Sequence, residues 1–259
     1  GVCAATGGYC TAVGRQSLRS VVGANNAALG YSAGYDLTTG VENTIAGDSA
    51  AANLTTASYC VAIGRQALFT EDTEGSLVAV GRRAMYLNNG GIRNTALGHS
   101  AMYNNVNGGS NTAVGYYSHY NNLGDGNTGC GNDTLYSNTT GEKNTALGNE
   151  ALENNTTANH STAVGHHALT TNTTGTQNVA VGSECLQDCS TGSNNTAVGT
   201  YTMRSLTTGS HNCALGLQAL YGLSTGVDNV AMGKQAGQDI TTGDNNICFG
   251  LDAGRAGSP

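Results

Sequence analysis

Tryptophan is absent from the 259 residues, phenylalanine occurs twice, proline once, and charged side chains make up only 10%. Without large rings, any core must be thin and aliphatic. One Pro beside 39 Gly excludes a collagen triple helix, which needs imino acids as well as glycine. Disorder normally accompanies high charge and no hydrophobic period, and here a period is present. The 10 basic residues are scattered among 17 acidic ones, for a net charge of −7. No basic stripe therefore tracks a phosphate backbone, and nucleic-acid binding is not expected. No stretch reaches the ~18 apolar residues of a membrane span, and Gly1-Val2-Cys3-Ala4-Ala5 lacks the flanks of a signal peptide. The expectation is export by another route, or a processed piece.

What fills the chain instead is a repeat. A Gly recurs at 14, 30, 47, 64, 81, 98, 115, 131, 148, 165, 182, 199, 216, 233 and 250, with twelve intervals of 17 residues and two of 16. Around it runs N-T-A-V-G-x-x-A-L-x-x-x-T-T-G. Such self-similarity is the signature of a solenoid, and a Gly and a Thr-Thr-Gly in every coil leave no room for an ordinary helix. The expected fold is an all-β parallel β-solenoid (β-roll) of about fifteen coils, a single domain over residues 1–259, as a segment of a longer fibre.

With the repeat Gly as position 0, position −1 is apolar in every copy, from Val13 and Leu29 to Met232 and Phe249. Together with position −3 (Thr11, Val61, Val179) it reads as the inward face of a strand, by alternation of two. Leu or Met at position +4 (Leu68, Met85, Leu135, Leu152, Leu169, Leu220) predicts a second inward-facing strand. Asn at the start of the first strand (Asn94, Asn111, Asn144, Asn195, Asn229) predicts an amide ladder between coils. The 16-residue intervals should each delete one turn residue, because a slip within a strand would invert its faces.

By the same alternation the Ala column at position −2 faces outward, and no rung of it is charged. A smooth apolar strip argues for burial against another chain, with Ala113, Ala146, Ala163 and Ala180 as interface residues. The alternative is that Ala faces a very narrow interior.

At this point N-T-A-V-G-x-x-A-L, with Tyr59-Cys60-Val61-Ala62-Ile63-Gly64 and Asn246-Ile247-Cys248-Phe249-Gly250 as variants, resembles the repeat of phage tail-fibre proteins. It is also similar to the S-V-A-I-G repeat in the heads of trimeric autotransporter adhesins. The resemblance covers residues 10–254. It implies a homotrimeric β-roll on the virion or cell surface, extracellular, attaching to a host-surface glycan or receptor; the longer coil here departs from the adhesin period.

Enzymatic chemistry would interrupt the repeat with a divergent loop, and none exists; no catalytic residue and no cofactor are expected. A surface active site between chains, as in tailspike glycosidases, is the enzymatic alternative. Most of the eight Cys substitute for regular column residues, and no C-x-x-C occurs, so zinc is unsupported; Cys185–Cys189 and Cys3–Cys10 are the local disulfide candidates. His166–His167 has no acidic partner nearby in sequence. Ice binding through Thr rows and a purely mechanical spacer or filament are the alternative functions.

Position +5 holds Tyr86, Tyr103, Tyr120 and Tyr136 in consecutive coils, Phe69 extends the row, and Tyr116, Tyr117 and His119 share the coil of Tyr120. Exposed rings one coil apart would form a ladder on which sugars lie. The competing reading is that stacked rings stabilise the sheet.

Overall fold

The computed structural model describes residues 8–70 and 75–255. The chain divides into two compact units, Gly1–Asn127 and Thr128–Pro259. The first unit carries β1 (Thr11–Val13), β2 (Ala27–Leu29), β3 (Thr44–Ala46), β4 (Val61–Ile63), β5 (Val78–Val80), β6 (Thr95–Leu97) and β7 (Thr112–Val114). The second carries β8 (Thr128–Cys130), β9 (Thr145–Leu147), β10 (Thr162–Val164), β11 (Val179–Val181), β12 (Thr196–Val198), β13 (Cys213–Leu215), β14 (Val230–Met232) and β15 (Ile247–Phe249). Within each unit successive strands pair in parallel, column on column, as in Ala163↔Ala146 and Ala163↔Ala180. Among the described residues there is no helix. The parallel β-solenoid is thus present, with one short strand per coil rather than two.

The first 16-residue interval keeps the register, Ala12 facing Ala28. Its deletion falls in the turn between Val21 and Asn26, where the next coil has one residue more between Leu37 and Asn43.

The strand faces are the reverse of the expectation. Ala113, Ala146, Ala163 and Ala180 are fully buried within the chain itself, so they are core and not contacts between chains. The column at position −1 points out: Val13 is 55% exposed, Leu29 57% and Phe249 72%. With Leu or Met at +4 filling most of the interior, a methyl is what fits at −2, and Ile45 fits there beside Gly34, which leaves its space free; the alternative of a very narrow interior therefore describes the Ala column.

Position +4 is inward as expected, with Leu68, Met85, Leu135, Leu152, Leu169 and Leu220 fully buried. Its neighbour at +3 is buried as well, as in Ala151 beside Leu152, which no strand permits. The backbone here takes left-handed residues at alternate positions, Gln66 (φ 57°) and Leu68 (φ 52°) being one pair, and turns a corner that faces two successive side chains inward.

The expected Asn ladder is formed. The Asn43 backbone N–H donates to Asn26 Oδ1 (3.0 Å), and the Asn43 Nδ2 donates to the carbonyl of Ala57 (3.0 Å). The same arrangement recurs through Asn195, Asn212 and Asn229. Each fully buried amide thereby satisfies backbone groups that would otherwise be unpaired in the interior. A second Asn row, at position +7, links Asn138, Asn155 and Asn172 side chain to side chain. In the Thr-Thr turns the first hydroxyl is used internally: Thr139, Thr156 and Thr173 each donate to a carbonyl of the following coil.

Candidate functional site

In the first unit the position +5 rings stack in register. Phe69–Tyr86, Tyr86–Tyr103 and Tyr103–Tyr120 have centroids 5.0, 5.0 and 5.1 Å apart and planes within 12° of parallel. This separation is close to the ~4.8 Å spacing of adjacent strands, so the stack follows from one ring per coil in one column. The rings are half-buried. Each covers its neighbour's face, so a sugar cannot lie between them; what they offer outward is edges and hydroxyls.

A second group joins this row. Tyr117 meets Tyr120 edge-on at 5.1 Å, Tyr116 lies 4.0 Å from Tyr117, and His99 stacks on Tyr116 at 5.2 Å. The sequence pattern did not single out His99, Arg82 or Arg83, which complete the surface. Arg82 Nη1 lies 3.4 Å from His99 Nε2, and the Arg83 guanidinium is 5.6 Å from the centre of the Tyr86 ring, donating also to Gln66 Oε1 (3.1 Å). Tyr136 belongs to the second unit and is half-buried there.

His119 is not part of this surface. It occupies position +4, the Leu column, and is fully buried, so it is withdrawn from the binding residues. Ser118 Oγ lies 3.1 Å from its Nδ1, while Nε2 has no partner. Desolvation by burial pushes its pKa down to about 3 from 6.5. The folded protein therefore refuses a proton that the unfolded chain accepts, and stability falls as pH drops from about 6.5 towards about 3, by about 1.4 kcal/mol per pH unit within that window. His119→Leu is expected to raise stability at neutral pH by about 1–2 kcal/mol, by removing the unpaired nitrogen. It should also flatten the urea midpoint between those pH values; a variant as acid-sensitive as the parent would contradict this assignment.

The second unit holds a titratable row at position +2. His167 Nε2 lies 2.7 Å from Glu150 Oε2, so the histidine does have an acidic partner, one coil away. The Asp133 carboxyl is held above its ordinary range chiefly by burial, against a hydrogen bond from Asn132. Glu153 is raised by burial and then by Glu150 and Asp133. Further along, Arg204 Nε donates to Glu184 Oε2 at 2.8 Å.

Cys185 and Cys189 are free thiols, buried, with pKa values pushed up to about 12 by burial; Cys3 lies outside the described residues. Among the described residues no three of His, Cys, Asp and Glu converge as metal ligands would, and no helix is long and apolar enough to cross a membrane. The chain matches no family model, no curated protein and no solved structure.

Proposed function

We propose that this chain is a structural fibre or adhesin segment, of the kind that forms a phage tail fibre, and that it contributes to attachment at a host surface from the virion exterior. The observation that carries the reading is the surface of the first unit: a rigid, register-locked row of aromatic edges and hydroxyls on an otherwise ring-poor chain. No catalytic role is assigned to any residue. The ice-binding alternative has less support, since the first Thr of several turns donates its hydroxyl to the next coil.

Association with copies of itself, as a homotrimer, belongs to the same proposal but through a different face from the Ala column. Positions −3 and −1 point outward from every strand and carry only Thr, Val, Ala, Leu, Ile, Met, Phe or Cys. Large members stand exposed, among them Leu97, Leu147, Leu215 and Met232. An uncharged sheet face whose −1 row is apolar throughout is ordinarily covered.

The attachment reading is tested by changing Tyr103 and Tyr120 to Ser and measuring binding of the labelled chain to a panel of bacterial cells. The expected result is a loss of roughly tenfold or more in apparent affinity with an unchanged circular dichroism spectrum, since aromatic anchors dominate such contacts. Undiminished binding by the folded variant would reject the patch.

A further inference from the structure

Tyr86, Tyr103 and Tyr120 of the aromatic row lie in a stretch, between the acidic Glu71-Asp72-Thr73-Glu74 and Asp125, with a charge balance opposite to that of the whole chain. From Gly75 through Gly124 there is no Asp or Glu, while Arg82, Arg83 and Arg93 are all present, in a chain of net charge −7. Arg82 and Arg83 have no carboxylate partner among the described residues, whereas Arg65 is paired with Asp48 at 3.3 Å and Arg204 with Glu184. The two guanidiniums meet the rings at both ends of a chain of contacts. Arg82 touches His99, which packs edge-on against Tyr117 at 5.6 Å; Tyr117 leads through Tyr120 and Tyr103 to Tyr86, beneath Arg83. Backbone bonds fix the register inside this circuit: Ser100 N–H donates to the Arg82 carbonyl (2.9 Å) and Tyr117 N–H to the His99 carbonyl (3.1 Å). Ser100 therefore falls between Arg83 and Tyr117 in their column, a small buried side chain flanked by two long ones. His99 Nδ1 is enclosed and has no partner.

We propose that Arg82, Arg83, His99, Tyr103, Tyr117 and Tyr120 form a binding site for an acidic polysaccharide. The guanidiniums, planar and fork-shaped, match a carboxylate, and the tyrosine hydroxyls meet sugar hydroxyls. The mutual stacking of the rings selects against a nucleic acid, whose bases need open aromatic faces, and in favour of a hydroxyl-rich anion recognised along ring edges. This proposal rests on the attachment reading and narrows it to a ligand class.

The probes are polygalacturonate and its methyl-esterified form, which keeps the sugar hydroxyls and loses the charge. Binding to the immobilised full chain is measured by interferometry for the parent, for Arg82→Gln/Arg83→Gln, and for Lys143→Gln/Lys234→Gln as a charge control in the second unit. The acid form should bind, more weakly as salt is raised, and the ester at least roughly tenfold more weakly. The arginine variant should lose a similar factor while the lysine variant matches the parent. Should the glutamine pair misfold by circular dichroism, Arg82→Lys/Arg83→Lys replaces it, with a partial loss expected because the charge stays and the fork goes. Equal binding of acid and ester, an arginine variant as good as the parent, or no binding of either probe would overturn the proposal. If the tyrosine variant loses cell attachment while the arginine variant keeps it, attachment stands and the acidic ligand falls. If the parent binds polygalacturonate but no cells, the acidic site stands and attachment falls.

Discussion

Glutamate at position 146 is expected to unfold the second unit, while glutamate at position 147 is expected to leave it folded and change only how copies associate. Ala146 is fully enclosed by its own chain, stacked between Gly129 and Ala163 in the sheet. A carboxylate there has neither room nor a cation, and removing an unpaired charge from water costs several kcal/mol, here at least about 4. The next side chain, Leu147, is 38% exposed in the single chain and lies on the proposed association face. Urea titration and sedimentation separate the two outcomes. Ala146→Glu should lose its cooperative transition, and Leu147→Glu should keep it while the sedimenting mass falls to that of one chain. A folded Ala146→Glu protein would refute the inward Ala column; a Leu147→Glu protein of unchanged assembled mass would refute the association face.

Gly165→Ala should be nearly as damaging, although it adds one methyl. The residue sits at φ +138°, and a Cβ built on it would lie 2.4 Å from the Gly182 carbonyl oxygen and 2.6 Å from its carbon. The obstacle is backbone held in register by the next rung, so it cannot rotate aside as a side chain would. Strain at such a φ adds to the clash, and a loss of about 3 kcal/mol or more is expected, read as a lowered denaturant midpoint. An alanine variant within about 0.5 kcal/mol of the parent, the range of ordinary surface changes, would show that adjacent coils can separate at this rung.

The architecture was legible because the period is a property of the whole chain, and the repeat Gly, the Asn ladder and the inward Leu column all follow from it. The facing of the strand was not. Thr-Ala-Val alternates by two whichever way it is turned, and hydrophobicity favours Val as the inward residue; the deciding quantity is the room left beside the Leu at +4, which suits Ala, and which takes Ile45 where +4 is Gly34. The second expected strand failed for a related reason. Leu at +4 marks burial, but Ala at +3 is buried too, and two successive inward residues indicate a corner. At the site, the stacking of Tyr86, Tyr103 and Tyr120 was predictable from their shared column. His119 was misplaced because a residue near tyrosines in sequence was grouped with them, when its column, shared with Leu135 and Leu152, marks it as interior. The Glu150–His167 pair lay in plain view once partners are sought one coil away instead of along the chain.

The register also has a kinetic meaning. The bonds that tie one coil to the next join residues about one 17-residue repeat apart, from 14 between Asn43 and Ala57, through 16 between Asn127 and Asn111 and 17 between Asn43 and Asn26, to 18 between Thr70 and Asn88. Measured against the chain length, that separation is roughly 0.07, the contact order of a helical bundle rather than of a sheet protein. Parallel sheets are ordinarily slow to form because a long crossover must close before any strand can pair. Here each closure is short and each new rung lands on a finished one, so the entropy of loop closure is met in small, equal instalments. A molecule made of strands and turns thus assembles by the local, stepwise route usually associated with helices.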